Sequence, residues 1–104
     1  DNELNTTFVA DYQAKTDTSP TTYAMASYDA AKVLDLAIEK AGDDVSSETI
    51  NAAIGELGDI ESPRGTWHFN DNGTPVQMWY LREVQQTDSG LANVRIAELG
   101  VLGE

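Results

Sequence analysis

The chain has 104 residues and no cysteine, and its formal net charge of −12 comes from 18 acidic and 6 basic residues. This length suits one compact domain and is too short for two. The charge argues against nucleic-acid binding, because phosphate recognition needs clustered Lys and Arg and the basic residues here are scattered. An anionic membrane surface is disfavoured for the same reason, and no apolar run approaches the roughly 18 residues of a membrane helix.

A first helix is predicted near the start of the chain. Asn2 or Asn5 can cap it, and it should end near Lys15. Apolar residues recur there at helical spacing: Leu4, Phe8, Val9 and Tyr12.

A second helix has the strongest signal. Ser19 can act as its N-cap, Pro20 suits the first helical position, and Gly42 provides a C-terminal stop. Small residues dominate its apolar stripe, so we expect this helix to lie close to the surface that it covers. The stripe comprises Tyr23, Ala26, Ala30, Val33, Leu34, Ala37, Ile38 and Ala41, and the polar side comprises Asp29, Lys32, Asp35, Glu39 and Lys40.

A third helix should begin after the cap Ser46 and end at Gly58. Strands are then predicted at 66–69, 76–84 and 94–99, separated by turns at Asn72-Gly73 and at 87–90, with a tail at 100–104. The predicted fold class is α+β: three helices followed by a two- to three-stranded antiparallel sheet. No parallel strand is predicted for the second helix to cover, which is unusual for a self-sufficient domain.

No catalytic or metal-binding set can be assembled from these residues. His68 is the only histidine, and without cysteine it cannot form a zinc site. No Gly-x-Ser-x-Gly elbow, calcium loop or phosphate-binding glycine loop occurs. The sequence Asp71-Asn72-Gly73 is better explained as a turn. We therefore predict neither an enzyme nor a cofactor.

Two groups of aromatic residues can be interpreted either as ligand contacts or as ordinary packing. Trp67, Phe69, Trp79 and Tyr80 could form a binding platform, but cross-strand packing is the favoured explanation. Tyr23 and Tyr28, at the start of the second helix, can either present a hydroxyl to a ligand or be ordinary, half-buried residues.

Four stretches in succession resemble one family, the periplasmic binding proteins of branched-chain amino acid ABC transporters and their amide- and urea-binding relatives. The similarity as a whole extends over about residues 4 to 85. The first resembles that family's Phe-Val-x-x-Tyr-x-x-Lys helix, and the second its long Tyr-Asp-Ala helix. The third matches its next short helix, and the fourth its Gly-x-x-x-Phe-x-x-x-Gly hairpin. These stretches are residues 8–15, 23–42, 46–57 and 62–73.

The resemblance implies that residues 1–104 form a single partial domain of a larger, two-lobed α/β receptor. Residues 1–60 would be the helical part of one lobe, and residues 61–104 would be the hairpin and the strand that crosses to the other lobe. A small polar solute such as an amino acid would bind between the lobes and pass to an ABC permease. By this resemblance Tyr28 lies near the cleft, with Tyr23 the second candidate.

The same resemblance implies a periplasmic or extracytoplasmic location, although residues 1–3 lack the start of a signal peptide. It also leaves alternatives open: the ligand-binding part of a sensory receptor, or a free-standing small interaction domain. Because apolar helix faces would stay uncovered, we expect the isolated chain to self-associate.

Overall fold

Three helices precede a three-stranded antiparallel sheet. The computed structural model describes residues 2–103. In chain order the elements are α1 (Glu3–Thr16), α2 (Thr22–Ala41), α3 (Ser47–Gly55), β1 (His68–Phe69), β2 (Pro75–Thr87) and β3 (Gly90–Leu102). The predicted α+β class is confirmed. No described helix is long and apolar enough to cross a membrane.

The starts of α1 and α3 are fixed by side-chain caps, as predicted. The Asn2 side-chain oxygen accepts a hydrogen bond from the Asn5 backbone N–H at 2.7 Å. At α3 the Ser46 hydroxyl accepts from the Thr49 N–H at 3.2 Å, and the Thr49 hydroxyl accepts from the Ser46 N–H at 3.0 Å. This reciprocal capping box satisfies donors that have no partner within the helix.

The start of α2 was predicted wrongly. Thr21, rather than Ser19, caps this helix: its backbone is extended and its hydroxyl accepts from the Ala24 N–H at 3.4 Å. The Ser19 hydroxyl instead accepts a hydrogen bond from the Gln13 side chain at 3.3 Å. The helix therefore begins at Thr22, two residues later than the sequence indicated.

The core lies between α2, α3 and the segment that leads into β1. Its centre is formed by Val33, Ile60 and Trp67, and partly buried apolar residues surround it: Leu36, Ile54, Leu57 and Phe69. Ile60 and Trp67 also exchange two backbone hydrogen bonds, at 2.7 and 3.1 Å. This bridge holds the loop after α3 against the base of the sheet.

The apolar stripe of α2 is divided into a covered and an uncovered line. Val33 and Ala37 are buried, together with Asp29 one turn earlier. The prediction that Asp29 belongs to the polar side is therefore wrong, and its partners are described below. The neighbouring line of small and aliphatic side chains stays exposed: Ala26, Ala30, Leu34 and Ile38.

A long hairpin of β2 and β3 extends from this core. The chain has a radius of gyration of 16.0 Å and a longest dimension of 50 Å, whereas a compact domain of this length has a radius near 13 Å. Two register shifts interrupt the pairing, between Trp79 and Tyr80 and between Leu81 and Arg82. Each leaves one extra residue on β3, first Leu99 and then Ile96.

The predicted tail is wrong because residues 100–102 continue β3, and Glu104 lies outside the described residues. Just past the strand, the Gly103 carbonyl accepts a hydrogen bond from the Asn70 side chain at 2.6 Å. Gly103 has φ 111°, and a Cβ at this position would lie 2.5 Å from the Pro75 carbonyl oxygen. Only glycine fits this close approach between the end of β3 and the start of β2.

Candidate functional site

Tyr28 lies on the side of α2 that faces α1. Its ring centroid is 5.2 Å from that of Phe8, and the Phe8 centroid is 6.1 Å from that of Tyr12. These three side chains are called the aromatic triad below. Their tilted rings have the spacing of favourable aromatic pairs. Tyr28 is still 41 % exposed, so its ring packs against α1 while part of it faces solvent.

A pocket of about 230 Å³ opens beside the aromatic triad. Its remaining lining residues are Leu4, Thr7, Asp11 and Lys15. Small-molecule sites commonly combine apolar walls with a few polar groups that orient the ligand. Here Lys15 can oppose a carboxylate, Asp11 can oppose an ammonium group, and the rings supply apolar contact. Within residues 2–103, neither Asp11 nor Lys15 forms an ion pair.

Tyr23 takes no part in this pocket. Its side chain is 85 % exposed. Its backbone carbonyl accepts a hydrogen bond from the Ser27 hydroxyl at 3.0 Å. The structure therefore separates the two tyrosines that the sequence singled out: Tyr28 lines a pocket, and Tyr23 projects from the first turn of α2.

A buried polar network lies next to Tyr28 along the chain, and the sequence did not indicate it. Both carboxylate oxygens of Asp29 are engaged: one accepts from the Ser62 hydroxyl at 2.7 Å and the other from the Arg64 Nε at 2.6 Å. Asp29 is only 4 % exposed. The one available signal was its spacing, four residues before Val33 and eight before Ala37, which places it on the buried line of α2.

Arg64 extends this network toward the sheet. Its Nη1 donates to the Gln77 side-chain oxygen at 2.9 Å, and its guanidinium lies 5.4 Å from the ring centre of Trp67. The Trp67 indole N–H is buried and has no hydrogen-bond partner within the described part of the chain. The network therefore connects α2, the loop after α3 and the start of β2.

His68 and the neighbouring turn form a shallow depression of about 470 Å³ at the base of the sheet. The His68 Nδ1 is 3.3 Å from an Asp59 carboxylate oxygen, and both side chains are substantially exposed. The predicted turn follows: the Asn70 side-chain oxygen accepts from the N–H groups of Asn72 and Thr74. Residues 2–103 contain no cluster of three or more His, Asp or Glu side chains that could hold a metal ion.

The four aromatic residues near the hairpin do not form one platform. The rings of Trp67 and Phe69 pack edge to face with centroids 5.0 Å apart. Trp79 is about half exposed, and the Arg95 guanidinium lies 5.2 Å from the centre of the Tyr80 ring. Trp67 and Phe69 thus belong to the core, whereas Trp79 and Tyr80 belong to the extended hairpin.

Comparison with protein families matches residues 1–90 to the model described as periplasmic binding protein. The chain belongs to the periplasmic binding protein family. The predicted family is therefore confirmed over most of the sequence. No curated protein matches the chain significantly.

Solved structures agree with this family. A solute-binding protein of an ABC transporter from Rhodopseudomonas palustris BisB5, in complex with 3,4-dihydroxybenzoic acid, is 28 % identical over 98 % of this chain, with a TM-score of 0.87. One from R. palustris in complex with benzoate is 30 % identical over 100 % of the chain, with a TM-score of 0.81. A third, from R. palustris HaA2 with p-hydroxybenzoic acid, is 27 % identical over 99 %, with a TM-score of 0.82. The chain spans 28 % of the length of each. Its helices and sheet are thus a piece of the periplasmic binding protein fold.

Proposed function

We propose that this chain is part of a solute-binding receptor that works outside the cytoplasm and delivers a small solute to an ABC permease. Its role is binding rather than catalysis. The observation that carries the proposal is the family match over residues 1–90. It is supported by the close agreement in fold with solute-binding proteins of ABC transporters.

The uncovered line of α2 supports a larger receptor. Ala30, Leu34 and Ile38 are exposed on the helix, and small and aliphatic side chains are typical of a helix that packs on a sheet. We propose that a parallel sheet from further polypeptide covers this line. The extended hairpin and the 28 % coverage of solved relatives agree with this interpretation.

We propose a small carboxylic acid as the solute, with Tyr28 as a contact in the cleft and Tyr23 as a second contact at its edge. Aromatic acids are the first class to test, because three solved relatives are named as complexes with benzoic acid or its hydroxylated derivatives. The aromatic triad and Lys15 suit the ring and the carboxylate of such a ligand. Amino acids are the second class, since Asp11 in the same pocket could meet an ammonium group.

Calorimetric titration of the full-length receptor with benzoate, 4-hydroxybenzoate and leucine tests both classes. We expect one class to bind, and Tyr28→Ala to weaken that binding by at least about tenfold, or about 1.4 kcal/mol. Tyr28→Phe separates the ring from the hydroxyl. Tyr80→Ala is the matched control, because Tyr80 packs beside Arg95 on the hairpin. Equal binding by Tyr28→Ala and wild type would remove Tyr28 from the site, and no binding of either class would contradict the proposed solute.

A cellular uptake assay distinguishes a transport receptor from a sensory receptor. If the receptor serves a permease, deleting its gene should abolish uptake of the radiolabelled solute. Normal uptake combined with a lost transcriptional or motile response would instead indicate a sensor of the same fold.

A further inference from the structure

Arg64 joins three separate parts of the chain. The Nε edge of its guanidinium group donates to Asp29 of α2, and the Ser62 hydroxyl donates to the same carboxylate. The Ser62 hydroxyl also accepts from the Arg64 backbone N–H at 3.1 Å, which fixes the loop itself. On the far side, Nη1 reaches Gln77, the third residue of β2. A single side chain thus links β2 to α2.

The position of Arg64 is well determined. Its side chain is 21 % exposed, and its carboxylate partner is 4 % exposed. The guanidinium is a planar fork whose donors have a fixed geometry, so holding Nε on Asp29 also sets the direction of Nη1. Contact with the buried Trp67 ring restricts it further. Gln77 therefore meets a rigid donor rather than a mobile surface side chain.

The point at which Arg64 holds β2 is where this strand leaves the core. Only Pro75 and Val76 pair with β1, and from Gln77 onward the strand pairs with β3. The hydrogen bond from Arg64 to Gln77 thus contacts β2 where the long hairpin begins.

We propose that Arg64 is a positioning residue for solute binding, and that its hydrogen bond to Gln77 sets the angle at which β2 leaves the helical part. This inference rests on the proposed function and on the expectation, from the family resemblance, that residues 61–104 lead to a second lobe. Holding the strand at one angle favours the lobe arrangement that is competent to bind. Loosening it lowers the population of that arrangement, and the apparent affinity falls by the same fraction.

The experiment uses the full-length receptor and three variants. Gln77→Leu removes the acceptor and leaves the Asp29–Arg64 pair intact, whereas Arg64→Lys keeps the charge but loses the fork. Thr66→Val is the control, because it removes only an exposed hydrogen bond to Glu61 in the same segment. For each protein the solute Kd, the melting temperature, and the radius of gyration with and without solute by X-ray scattering are measured.

We expect Gln77→Leu to weaken solute binding about five- to tenfold. Its melting temperature should match that of Thr66→Val, and its ligand-free radius of gyration should increase. Arg64→Lys should weaken binding at least as much. If the wild type binds solute and Gln77→Leu leaves both the Kd and the radius of gyration unchanged, the positioning role is overturned and the proposed function is not. A loss of affinity that only parallels a loss of melting temperature would also overturn it. Absence of solute binding and of ligand-induced compaction in the wild type would overturn the proposed function first.

Discussion

Replacing Asp29 with alanine should be among the most destabilising single changes in this protein. The substitution leaves the Arg64 guanidinium and the Ser62 hydroxyl without their shared acceptor. Removing one partner of a buried ion pair costs about 3–5 kcal/mol. Arg64 retains some access to water, so we expect the lower end, about 3 kcal/mol, for Asp29→Ala. Arg64→Met leaves the more deeply buried carboxylate of Asp29 without its cationic partner, and we expect the free energy of unfolding to fall by about 5 kcal/mol.

The double variant Asp29→Ala/Arg64→Met separates the ion pair from simple packing loss. Because neither charge is then left unpaired, its cost should fall short of the sum of the single costs by about 2–3 kcal/mol. Urea denaturation followed by tryptophan fluorescence gives each free energy of unfolding. The exposed pair of Lys40 and Glu56, 3.6 Å apart, is the matched control, with an expected coupling below about 1 kcal/mol. Additive costs at Asp29 and Arg64, or a cost below about 1 kcal/mol for Asp29→Ala, would refute this reasoning.

Three further outcomes are expected. Gly103→Ala should lower the free energy of unfolding by about 2 kcal/mol, because the new methyl group meets the Pro75 carbonyl. Gly73→Ala, where the methyl group enters open space, should lower it by about 1 kcal/mol. Equal losses in thermal denaturation would contradict the close approach at Gly103. In the 104-residue chain, Ile60→Ala should lower the free energy of unfolding by about 2–5 kcal/mol, and Ile38→Ala by less than about 1 kcal/mol. If a sheet covers Ile38 in the full-length receptor, the loss caused by Ile38→Ala should be larger there. Sedimentation of the isolated chain should show self-association that Ile38→Glu reduces; a monomer at high concentration would argue against exposure of this helix line.

Local features of the fold could be predicted from the sequence. The caps Asn2 and Ser46 depend on hydrogen bonds within four residues, so the pattern of residue types is sufficient to identify them. The turn at Asn72-Gly73 is equally local. The start of α2 is harder to locate, because Ser19 and Thr21 are both suitable caps and residue type alone does not choose between them.

Features that depend on distant residues could not be predicted. An aspartate in a helix is normally exposed, and only the fold brings Ser62 and Arg64, more than thirty residues away, onto Asp29. The length of β3 was underestimated for a related reason: glycines at 100 and 103 resemble a tail until pairing with β2 is known. Tyr28 was singled out through a family resemblance, and its pairing with Phe8 became visible only in three dimensions.

The two extra residues on β3 bear on how this hairpin avoids misassembly. Long apolar edge strands are templates for strand addition between molecules, the first step toward fibrils. Within residues 2–103, β3 is an edge of the sheet and carries several exposed aliphatic side chains. Bulges at Leu99 and Ile96 bend the strand and break the regular ladder of donors and acceptors that an incoming strand needs. Along its own edge, β3 can therefore expose aliphatic side chains while offering a poorer template for strand addition.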